Sequence, residues 1–194
     1  MDDPLLVTIG AGLAYGERIV AGIPAGAHHR RTPCEGFDVK GLVDHLIQKV
    51  MAFGCIGDRE TTDPEQVPMP SGRRPVDSYR AAADRVRAAW TPTSLRETFH
   101  LAQGKLTGIG LTRFFLLEVL GHGWDLAVAT GQEADAGPAL ACAGLGATDA
   151  IGDVLRKAGA LAPPVIVPPT GSLMDRFVAA IGRDPDRWRE PDAP

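Results

Sequence analysis

The sequence predicts an all-α protein: a four-helix bundle with a short β-hairpin before the long fourth helix, closed by an extended segment plus a short C-terminal helix. Three observations carry this. Apolar residues recur at helical spacing through several long segments, glycine and proline punctuate the chain between them, and only one stretch alternates like a strand.

Pro4 to about Ile23 is apolar, rich in Ala and Gly, and stopped by Pro24. A loop follows through His28, His29, Arg30, Arg31, Pro33 and Cys34. Asp38 is a good N-cap for a second helix, Val39 to about Phe53, because its carboxylate accepts a free amide of the first turn. Val39, Leu42, Val43, Leu46, Ile47 and Val50 share one face of it. Residues 54–75 carry four prolines and read as an exposed connection. A third helix spans about Asp77 to Trp90, with Tyr79, Ala82, Ala83, Val86 and Trp90 on one side.

The segment Leu95–Leu101 alternates and reaches Gln103-Gly104, which suggests a short hairpin. The long fourth helix runs from about Thr107 to Thr130 and ends on Gly131. Another follows from Pro138 to Ala158, ending at Gly159. Pro163–Pro169 cannot be helical and is expected to lie extended across the bundle. A short helix, Leu173 to Ile181, precedes a polar tail. Residues 1–194 read as one domain without internal repeats, with 162–194 as an extension packed on the bundle.

The composition narrows the function. Hydrophobic residues make up 44% and charged residues 23% of 194, enough for a core without disulfides. A net charge of -4, with arginines scattered, gives no pull toward nucleic acid or acidic membranes. No run of about 18 apolar residues marks a membrane span. Cys34, Cys55 and Cys142 form no C-x-x-C pair, which argues against a zinc ribbon or a thioredoxin-type motif. The acidic start and unpaired cysteines suit a cytoplasmic protein; monomer and homodimer both stay open, and the expected partner is a small molecule.

The chemistry concentrates in the fourth helix. Glu118 and His122 are four residues apart, hence one above the other on a face shared with Leu111, Phe115, Leu126 and Ala129. An ionisable pair aimed into a core must be paired or bound to metal. A carboxylate and an imidazole at this spacing can share a divalent ion. His45, mid-helix and beside the apolar stripe of the second helix, is the best third ligand. Asp125 or Asp44 could support the ligands, Asp125 by orienting His122 or relaying a proton. The plainer alternatives stay open: a hydrogen-bonded core histidine at 45, and a simple helix pair at 118 and 122. Trp124 reads as core packing, and Cys34 as packing rather than a reactive thiol. His28, His29, Arg30 and Arg31 read as solvated, and His100 faces either solvent or the bundle mouth.

The stretch from Thr32 through Cys34, Gly36 and Asp38 to His45-Leu46, with Glu118 and the run His122-Gly123-Trp124-Asp125, resembles the DinB-like superfamily. Within it, the chain resembles single-domain members related to the N-terminal domain of mycothiol-dependent maleylpyruvate isomerase. Asp175-Arg176-Phe177 and Gly182-Arg183-Asp184-Pro185 add a weaker match. The resemblance implies a metal at one end of the bundle, zinc first, with nickel or iron as alternatives, held by His45, Glu118 and His122. It also implies a thiol-dependent enzyme that transfers or adds a mycothiol-like thiol to a small electrophile, or isomerises it through a thiol adduct. The alternatives are a metal-dependent lyase, cyclase or hydrolase on the same bundle, and a non-catalytic metal- or small-molecule-binding bundle.

Overall fold

Capping chemistry sets where most elements begin. In the computed structural model, which describes residues 3–61, 63–68, 73–102 and 104–188, Asp3 accepts from the Leu5 amide and Pro4 fills the first turn of α1 (Pro4–Ala21). Asp38 Oδ1 accepts from the Gly41 amide at 2.8 Å and opens α2 (Val39–Gly57). This helix outlasts the expected end at Phe53 by a full turn. Cys55 and Ile56 are buried and the Gly54 backbone lies against Arg85, so packing outweighs the glycine cost of about 1 kcal/mol. The 54–75 connection is correspondingly shorter and includes a 3₁₀ turn, Pro64–Gln66. Residues 62 and 69–72 of that connection lie outside the described residues, as do Gln103 of the hairpin turn and the tail at 189–194.

The third helix, α3 (Pro75–Ala89), starts two residues earlier than expected because proline suits the first helical turn. A short helix not expected from the sequence, α4 (Pro92–Arg96), follows. A reciprocal Thr91–Ser94 capping box converts Leu95-Arg96 from strand to helix. The hairpin is therefore β1 (Thr98–Leu101) and β2 (Gly104–Thr107), antiparallel, with Phe99 opposite Leu106. Next come α5 (Gly108–Thr130), closed by Gly131 in the left-handed region, α6 (Pro138–Lys157) and α7 (Leu173–Ala180). Residues 163–168 form neither helix nor strand, as expected. They run beside α7 rather than across the bundle, the Val165 amide donating to Ala179 O at 2.9 Å.

The helices α1, α2, α3 and α5 make the four-helix bundle, with α1 against α3 and α5, and α2 against α3 and α5. On its other side α5 carries α6, and α6 carries α7. That central position explains why α5 is buried around most of its circumference. One continuous core joins Leu13, Leu46, Tyr79 and Leu120 to Phe177 and Ile181 of the C-terminal segment. Among the described residues no helix is long and apolar enough to cross a membrane.

Candidate metal centre

Three helical side chains converge at one point between α2 and α5. His45 is one helical turn beyond Leu42 and Gly41 in α2, and Glu118 and His122 sit one turn apart in α5. Glu118 Oε2 lies 3.7 Å from His45 Nε2 and 3.5 Å from His122 Nε2, and the two imidazole rings meet edge to face. Such separations are long for hydrogen bonds. They match donors that each stand about 2.0–2.2 Å from one tetrahedral ion, which places donors about 3.3–3.5 Å apart. Two imidazole nitrogens and a carboxylate oxygen are also the donor types divalent transition metals take. The residues therefore fit a metal. With 24% of the His45 side chain and 18% of Glu118 exposed, the cluster is reachable from outside.

The far side of His122 is held just as firmly. Its Nδ1 lies 3.3 Å from Asp125 Oδ2, an i,i+3 contact within α5, which leaves Nε2 turned toward Glu118. Asp125 has no exposed surface. Arg183 Nη2 donates to Asp125 Oδ2 at 2.8 Å, and Arg183 Nε donates to Oδ1 at 3.2 Å. This is the carboxylate–histidine arrangement that orients metal ligands.

Burial alone would raise the carboxyl of Glu118. The contacts with His122 and His45 and the charges of His122 and Lys49 overcome it and hold the group well below the usual range. Burial likewise disfavours the charged imidazolium of His122. Asp125, Cys34 and Glu118 outweigh that and push it well above its ordinary value. Asp125 is lowered against its burial, chiefly by the Arg183 charge. A divalent ion taken up at His122 would have to displace a proton from it.

Three comparisons with known proteins bear on this site. Residues 9–127 match the family described as mycothiol maleylpyruvate isomerase N-terminal domain. The chain belongs to that family. Two uncharacterized proteins from strains of Mycobacterium tuberculosis, MT0763 and Rv0738, are each 30% identical to it over 151 residues, covering 77% of this chain and 79% of theirs. A crystal structure of a mycothiol-dependent maleylpyruvate isomerase, in a variant with a histidine replaced by alanine, aligns with a TM-score of 0.62 at 16% identity, covering 99% of this chain and 97% of that one. At that identity it shows a shared fold.

The family match encloses His45, Glu118, His122 and Asp125, which the structure brings together, and ends before Arg183. Asp44 is turned away, its carboxylate on Lys40 at 2.7 Å. Trp124 is buried in the core, whereas His28, His29, Arg30, Arg31 and His100 are exposed. Several residues of the neighbourhood were not given a site role by the sequence, Cys34, Phe37 and Arg183 among them. Cys34 is half-buried and packs on the core, as expected, yet its sulfur also lies within 4.8 Å of ligand atoms of both His122 and Asp125. The sequence clues were its place just before the helix that carries His45 and within the motif that carries the family resemblance. A buried Thr32 hydroxyl bonded to the Cys34 and Phe37 carbonyls folds this loop onto the site. Phe37 meets the His45 ring at 5.0 Å. Arg183 lies 58 residues from Asp125 in sequence.

Proposed function

We propose that this chain is a divalent-metal-dependent enzyme that brings a low-molecular-weight, mycothiol-like thiol to a small electrophilic substrate. It would add or transfer the thiol, or isomerise the substrate through a thiol adduct. The observation that carries the reading is the His45–Glu118–His122 donor set, with His122 Nδ1 tied to Asp125. Membership of the mycothiol maleylpyruvate isomerase N-terminal domain family supports the thiol, and the 30% identical relatives carry no assigned activity.

In this reading His45, Glu118 and His122 hold the ion, zinc first. An ion held by these three residues would supply a lowered thiol pKa and a polarised carbonyl oxygen. His122 and Glu118 face each other across the site, and Asp125 keeps the His122 ring from rotating. Phe37 covers one side of the His45 ring, and the partly exposed His45 and Glu118 side chains leave the cluster open to a small reactant. Lys49, one turn beyond His45 and partly buried, sets a positive charge near Glu118.

The test is thiol dependence in the metal-loaded protein. Cobalt-substituted protein titrated with a small thiol should gain a sulfur-to-cobalt charge-transfer band, and turnover of an electrophile should require the thiol. An unchanged spectrum, or equal turnover without thiol, contradicts thiol transfer.

A further inference from the structure

We propose that Arg183 is a positioning residue of this centre: by gripping both oxygens of Asp125 it fixes the orientation of His122, so that the segment after α7 completes a site built in the bundle. The inference rests on the metal reading above and concerns a residue outside the family match.

The geometry is specific. A carboxylate turns easily about its last torsion, and Asp125 touches His122 with one oxygen only. The Arg183 fork removes that freedom, because Nε and Nη2 take one oxygen each and hold the Oδ2 edge toward His122 Nδ1. The remaining terminal nitrogen, Nη1, donates to Ile181 O at 3.2 Å. Each of the three guanidinium nitrogens is thus engaged inside the protein, and the side chain is 14% exposed. Arg183 is committed to Asp125 rather than offered to a substrate.

The backbone is shaped to deliver it. Gly182 takes φ +90°, and the helix ends in a paired motif in which the Arg183 amide donates to Val178 O and the Gly182 amide to Ala179 O. This turn sends residue 183 back toward α5 instead of into solvent. On the facing helix, residue 121 is glycine. A Cβ there would stand 3.0 Å from Ile181 Cδ1 and 4.0 Å from Arg183 Nη2. A side chain there would push on the tip of Ile181, next to Arg183.

The competing explanation is that the ion pair merely docks α7, as buried pairs elsewhere do. The two differ in what they do to a bound ion. The experiment uses the full chain, stripped of metal, with Co²⁺ as probe, comparing wild type, Arg183→Gln and Arg183→Lys. Affinity is read by competition with a chromophoric chelator and geometry by the visible ligand-field spectrum, with circular dichroism to establish folding. Arg183→Gln should bind Co²⁺ about 10- to 100-fold more weakly with an altered spectrum. Arg183→Lys, which keeps the charge without the fork, should fall between and also serves if the glutamine variant does not fold. A folded variant with wild-type affinity and spectrum overturns the inference alone. Wild type that takes up no Co²⁺ overturns it together with the metal reading.

Discussion

Asp125 meets His122 on one side and Arg183 on the other, and it has no exposed surface, so it cannot be changed without consequence for both. Asp125→Asn leaves Arg183 as a buried cation facing a neutral amide. Breaking one side of such a pair costs about 3–5 kcal/mol. Urea unfolding should show that loss, while a cost below about 1 kcal/mol would mean that Arg183 re-pairs or reaches water. Cys34 is a different case. Its sulfur belongs with His122 and Asp125, not with the His45–Glu118–His122 donors. Cys34→Ala should therefore keep the metal content of wild type, and loss of the ion in elemental analysis would make Cys34 a ligand. Glu118, His122 and Asp125 were legible in the sequence because i,i+4 and i,i+3 spacing is a property of the helix alone. Arg183 was not, because its contact with Asp125 depends on how two distant segments pack.

At the scale of the element, α5 is constrained on both sides of His122. A Cβ at position 123 would run into the Tyr15 ring of α1, and one at 121 would press on Ile181. Gly123→Ala should destabilise by about 1–3 kcal/mol, the usual cost of forcing volume into a packed contact. Chemical denaturation checks this, and a neutral or stabilising result would mean that α1 and α5 sit farther apart. The element boundaries that sequence reasoning missed have physical causes of the same kind. Periodicity and caps place α2, α5 and α6 well, as Asp38 and Gly131 show. They cannot see that Cys55 and Ile56 are buried, which prolongs α2, or that Thr91 and Ser94 cap each other, which creates α4.

For the whole molecule, α2 and α5 of the bundle carry His45, Glu118 and His122, and the segment after α7 brings Arg183 onto Asp125 beside them. The all-α class, the hairpin and the family were legible because they rest on long periodic segments and on motifs around His45 and His122. The role of the last segment was not, because Phe177, Val178 and Ile181 reach the core through tertiary packing, α7 against α6 and α6 against α5, which spacing along the chain does not show. Deleting residues 162–194 should therefore lower stability and metal affinity together, measured by denaturation and chelator competition. A truncated chain that binds metal like the full one would confine the site to the bundle.

The central claim is that His45, Glu118 and His122 hold one divalent ion. Elemental analysis of the full chain purified without chelators, beside folded His45→Ala and Glu118→Ala variants, tests it most directly. Wild type should carry about one ion per chain, and both variants should lose it. Wild type that stays metal-free even after reconstitution, or variants that keep the ion, would contradict it.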